Sequence, residues 1–117
     1  MRDFLYAHPN VKIALNFHAW GPLFITPYNW DKKKGNHELP AHAKQFYDEV
    51  HKYHTGALKG YLAGNGMQTI GYNANGEASD WMLHELGILA MSPELGIDDR
   101  RTEDFFIRDA SALVGLV

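Results

Sequence analysis

The chain has 117 residues, 45% of them hydrophobic and 21% charged, which suits a single globular domain and excludes a disordered polymer. Net charge is -3, from 11 basic and 14 acidic residues, and the one basic cluster is Lys32-Lys33-Lys34; this argues against nucleic acid as the main partner. The absence of cysteine excludes disulfides and thiolate metal sites, and no apolar run approaches the roughly 20 residues of a membrane span.

In chain order, Arg2 to His8 reads as one or two helical turns stopped by Pro9-Asn10. It has no capping residue before it, as if the helix began upstream, and MRDFLYAHPN has no apolar core of signal-peptide type. Val11 to Trp20 reads as a buried strand. Two-residue alternation puts Val11, Ile13, Leu15 and Phe17 on one face, and Ala14, Asn16 and His18 on the other. Gly21-Pro22 stops it, Leu23 to Thr26 is a short extended piece, and residues 29–40 form a polar loop. A helix follows Pro40, with Ala43, Phe46, Val50 and Tyr53 as its buried stripe.

Gly60 to Gly76 reads as a long glycine-rich loop, the kind that often carries function. Ser79-Asp80 offers caps for the short helix WMLHEL, which Gly87 ends. ILAMSPEL is a second apolar strand, with Ile88, Ala90, Ser92 and Glu94 on one face. Asp98 to Asp104 is a charged loop, and Phe105 to Val117 reads as the entry into a closing helix. The pattern is α/β.

In open α/β sheets ligands bind at the carboxyl ends of strands, and His18 and Glu94 both stand at such ends. An imidazole can bind zinc, and a neighbouring carboxylate can take a proton from bound water. The plainer alternative for His18 is a hydrogen bond that satisfies a strand end. His51 and His54 are three apart on a helix and read as its solvated face; His84 and Glu85 read as surface groups, and His37 and His42 carry no spacing argument. GNG at 64–66 lacks the third glycine and the preceding strand of a dinucleotide fingerprint. Tyr72, in a glycine-flanked loop, could swing over a ligand or anchor its own loop.

Three segments in order, NFHAWGPLFITPY, GYNANGEASDW and ILAMSPELG, resemble the zinc metallocarboxypeptidases of the carboxypeptidase A/B family. His18 and Pro27-Tyr28 match a strand-end zinc ligand and the Pro-Tyr that follows it. Tyr72, Gly76 and Asp80-Trp81 match the tyrosine of a mobile loop, a glycine, and the Asp-Trp that opens a short helix. Glu94, thirteen residues after Trp81, stands where the family has its catalytic glutamate.

The resemblance implies an α/β fold, the C-terminal half of a zinc-carboxypeptidase-like mixed sheet flanked by helices, with residues 1–117 as one partial catalytic domain. It implies Glu94 as general base, His18 as a Zn2+ ligand, Tyr72 over the substrate, and Ser79 and Ser92 in the specificity pocket. Where an aspartate at the Ser79 position would favour basic C-terminal residues, serine points to neutral or apolar ones. The His-x-x-Glu motif that supplies the other protein ligands is absent, as are the arginines and asparagine that grip the substrate carboxylate. Catalytic zinc takes three protein ligands and a water, so the isolated chain is expected to be inactive. The expected partners are peptide or protein C-termini and a polypeptide carrying the missing half; nucleic acid and a membrane span are not expected. The family's habit of export favours an extracellular or other exported compartment. Two other readings stay open: an inactive truncated domain serving as a structural or binding subunit, and an amidase on the same scaffold.

Overall fold

The computed structural model describes residues 1–30, 38–52 and 60–96. In chain order these form α1 (Arg2–Ala7), β1 (Ile13–Leu15), β2 (His18–Ala19), β3 (Leu23–Ile25), α2 (Ala41–Lys52), β4 (Leu62–Gly64), α3 (Gly66–Thr69), α4 (Ala78–Leu86) and β5 (Leu89–Leu95). The strands make a mixed sheet of order β1-β5-β3-β4, with β2 alongside β5 beyond the end of β1. β1 and β2 run parallel to β5, β3 runs antiparallel to β5, and β3 and β4 are parallel. This is the α/β mixed sheet with flanking helices that the sequence implies.

The expected Val11–Trp20 strand is two short strands in one register, Leu15 opposite Met91 and His18 opposite Glu94. The interruption has a cause in β5. Asn16 N–H donates to the Met91 carbonyl at 2.9 Å, but the next bond of a parallel ladder would need an N–H from residue 93. That residue is proline, which has none to give.

Alternation along β5 divides its side chains between two cores. Met91, with Phe24, Tyr28, Tyr61 and Leu83, packs beneath the α2 residues Ala43, Tyr47 and Val50. Ile88 and Ala90 pack on the other side with Leu5 of α1 and Met82 of α4. The expected alternation holds for Ile13 and Leu15, the register partners of Leu89 and Met91, but that face is unevenly buried and Val11 does not share it. Leu15 joins the first core and Val11 the second, while Ile13 and Phe17 are exposed. Among the described residues β1 and β2 have β5 as their sole ladder partner, so their outer flank is a sheet edge.

Other expectations shift in detail. α2 buries Tyr47 as well as Ala43 and Val50, and the Tyr47 hydroxyl donates to the Ala90 carbonyl at 2.9 Å. The long loop expected over 60–76 contains β4 and α3, because Asn65 and Gln68 form a reciprocal capping box that starts a helix turn. Ser79 and Asp80 are not caps: α4 starts after Glu77, and both residues lie in its first turn. Gly87 does end α4, in the left-handed conformation at φ 66° that glycine adopts without strain. Asn29, at the start of the expected polar loop, is fully buried. Tyr53, His37 and His54, the charged loop and the closing helix lie outside the described residues. Among those described, no helix is long and apolar enough to cross a membrane.

Candidate active site

β5 and the strands beside it bring the sequence candidates to one region. His18 and Glu94 are register partners on adjacent parallel strands, so their side chains leave the sheet on the same face. On the other side of β5, Leu23 is paired with Glu94 and Ile25 with Ser92, which places these two apolar residues on that face as well. Glu94 is therefore flanked by an imidazole and a leucine. It is half-buried, whereas His18 is exposed.

That setting shifts the proton affinity of Glu94. Burial holds its carboxyl above the ordinary carboxylate range; the His18 imidazole draws it down and the negative charge of Glu77 pushes it up. A raised carboxylate is better matched to taking and returning a proton near neutrality than an ordinary one. His18 Nε2 accepts a hydrogen bond from Asn16 Nδ2 at 2.8 Å, which orients the ring from its own strand.

Ser79 and Ser92 meet although thirteen residues separate them: Ser92 Oγ donates to Ser79 Oγ at 3.4 Å, and both residues are buried. Each hydroxyl can donate and accept, so the pair forms a small neutral polar spot between the first turn of α4 and β5. Tyr72 lies in the segment between α3 and α4 and is 61% exposed, its ring turned to solvent and not packed down as an anchor. Next to Ser79 in sequence, Asp80 is buried. It accepts from Asn29 N–H at 2.7 Å and Asn29 Nδ2 at 2.9 Å, and from the Trp30 N–H; burial still holds its carboxyl above the usual range.

Two neighbours of Glu94 escape a reading of the sequence. Gly21 reads only as a strand stop, but a Cβ at that position would lie 3.2 Å from Glu94 Oε2. The glycine leaves room for the carboxylate. Glu77 acts on Glu94 across the fold, and nothing in its sequence setting signals that. The remaining histidines stand apart from this site. His51 is half-buried on α2 and shares a hydrogen bond of 3.2 Å with Thr26 Oγ1, so it is less solvated than its spacing implies. His42, His84 and Glu85 are exposed. The Tyr28 ring meets His84 edge-on at 6.4 Å.

Zinc needs more donors than these residues supply. Among the described residues there is no group of three His, Cys, Asp or Glu side chains that could hold a metal ion. His18 is a single imidazole, and a catalytic zinc requires three protein ligands. The residues present do not by themselves fit the metal.

The mixed sheet flanked by helices brings a histidine and a glutamate together on neighbouring strands beside a buried serine pair, with too few donors among the described residues to hold a metal ion. A family model for zinc carboxypeptidases matches residues 1–114, nearly the whole chain, and the protein belongs to that zinc-dependent peptidase family. No curated protein matches the sequence.

Proposed function

We propose that this chain is the C-terminal part of a metallocarboxypeptidase catalytic domain, and that a polypeptide carrying the His-x-x-Glu ligands completes it. In this reading the assembled site removes neutral or apolar residues from peptide and protein C-termini. Glu94 takes a proton from the attacking water and returns it to the amine that leaves. His18 is one of the zinc ligands, the others coming from the missing half. Tyr72 closes over the substrate, and Ser79 with Ser92 lines the pocket for its last side chain. The family's habit of export favours an exported compartment.

The observation that carries this reading is the pairing of His18 with Glu94 on neighbouring strands, with Ser92 next on the same face of β5. A histidine kept only to satisfy a strand end has no need of a desolvated glutamate beside it. The uncharged serine pair supports the preference for neutral C-terminal residues.

Metal analysis and intact mass of the natively purified protein, with everything that co-purifies, test the proposal. The expected result is close to one zinc per chain and a second polypeptide with His-x-x-Glu. Zinc-free material without such a partner would overturn it in favour of the second reading, an inactive carboxypeptidase-like subunit. The incomplete donor set among the described residues is what keeps that second reading in view.

A further inference from the structure

Asn29 is 1% exposed and ties together three points of the chain that lie far from it in sequence, at Gly66, Ala74 and Asp80. Its N–H and its Nδ2 donate to the two carboxylate oxygens of Asp80, at 2.7 and 2.9 Å, in the first turn of α4. Its Oδ1 accepts from Gly66 N–H at 2.6 Å, at the start of α3. Its carbonyl accepts from Ala74 N–H at 2.9 Å. Gly66 and Ala74 are the two feet of the segment that carries Tyr72, and Asp80 adjoins Ser79. One buried residue thus grips both ends of the Tyr72 segment and the turn that presents Ser79.

The chemistry of the side chain matters here. Asn29 must donate to a carboxylate and accept from a backbone N–H at the same time, and a carboxamide can do both. An ionised aspartate could only accept, and would face Asp80 as a like charge. The glycine at 66 belongs to the same arrangement: a Cβ there would stand 2.8 Å from the Tyr72 carbonyl and 3.2 Å from Asn29 Oδ1. A side chain at position 66 would drive the segment off its clamp.

We propose that Asn29 is the positioning residue of the site, holding the two feet of the Tyr72 segment and the Ser79 turn of α4 in fixed relation. The clamp is a matter of geometry; its importance for specificity rests on the roles given above to Tyr72 and Ser79. Tyr72 can then move between two fixed ends while the pocket floor stays in place.

Amide hydrogen exchange of the full chain tests this without reference to activity, using Asn29→Leu and Asn29→Asp. In Asn29→Leu, amides over 66–76 should exchange about tenfold faster or more, while α2 and β5 keep their protection. In Asn29→Asp, the same segment should lose protection relative to the unaltered chain at neutral pH. It should regain protection as acid protonates the new carboxyl, which then donates to Asp80; Glu77, Tyr28 and Tyr47 are the other titratable groups coupled to Asp80. Unchanged exchange over 66–76 in both variants would overturn the proposal. So would a loss of protection spread evenly over α2 and β5, which would make Asn29 an ordinary core residue. If the local loss and acid rescue appear but the completed assembly hydrolyses no peptide, the clamp stands and the carboxypeptidase reading fails.

Discussion

His18 and Glu94 sit opposite each other on parallel strands, the one exposed and the other half-buried. Burial raises the proton affinity of the carboxylate, and the imidazole opposite draws it part of the way back down. Replacing Glu94 by Gln keeps the shape and removes the proposed base. In an assembly reconstituted with the missing half, Glu94→Gln should lower kcat by about 10²–10⁴-fold and leave zinc content nearly unchanged. Steady-state hydrolysis and metal analysis on one preparation check both parts, and full activity would refute the role of Glu94.

Gly21 makes room for that carboxylate. In Gly21→Ala the new Cβ would press on Glu94 Oε2 and on Leu23 Cγ, at 3.2 and 3.3 Å. Displacing a reacting group by a fraction of an ångström to one ångström costs up to about 10²-fold in rate. The expected outcome is a fall in kcat with little change in thermal midpoint, read by kinetics beside calorimetry.

The serine pair sets up a specificity experiment. Ser79 has no exposed surface, and its hydroxyl accepts a hydrogen bond from the neutral Ser92. Ser79→Asp would place a buried charge there, which is costly until a cation pairs with it. The variant should be less stable than the parent, and its kcat/KM should shift from apolar toward lysine and arginine C-termini. An unchanged order of preference among matched peptides would remove Ser79 from the pocket.

Much of this was legible in the residues. The ends of α1 and α4, the extent of β3 and the alternation of β5 follow from Pro9, Gly87, Pro27 and the apolar pattern, because each is a local effect. What escaped is what depends on neighbours across the sheet. The break between β1 and β2 is written at Pro93, in a different strand. The burial of Asn29 depends on Asp80, fifty-one residues on, and the closeness of Gly21 to Glu94 on pairing within the sheet. α3 is a different case, since its Asn-Gly-Met-Gln start was a readable capping box hidden among glycines. The pairing of His18 with Glu94 could be suspected from strand ends, but the register that joins them needed the fold.

Tyr47 offers a prediction about pH. Its buried hydroxyl donates to the Ala90 carbonyl, and burial, reinforced by the charges of Tyr28 and Asp80, holds the phenol proton far above the ordinary value of 10.0. The folded chain therefore keeps this proton where the unfolded chain has lost it. Stability from this group is complete below about pH 10 and falls as pH rises beyond it. Tyr47→Phe should cost about 1 kcal/mol at neutral pH from the lost hydrogen bond and flatten the alkaline decline. Denaturant unfolding at several pH values between neutral and alkaline reads both effects.

The sheet edge leads to the last prediction. Ile13, Phe17 and Trp20 are 38, 49 and 55% exposed along the β1–β2 edge, and Phe4 and Tyr6 of α1 are 57 and 56% exposed. Among the described residues nothing pairs with the outer side of these two strands. An unpaired edge flanked by exposed aromatic groups is a template for another chain. On its own, the protein should self-associate or aggregate at micromolar concentration, and binding of the completing polypeptide should suppress this. Sedimentation velocity with and without that polypeptide separates the cases. A monodisperse monomer that unfolds cooperatively alone would mean that the edge is tolerated, and would leave the proposed second half resting on the zinc ligands only.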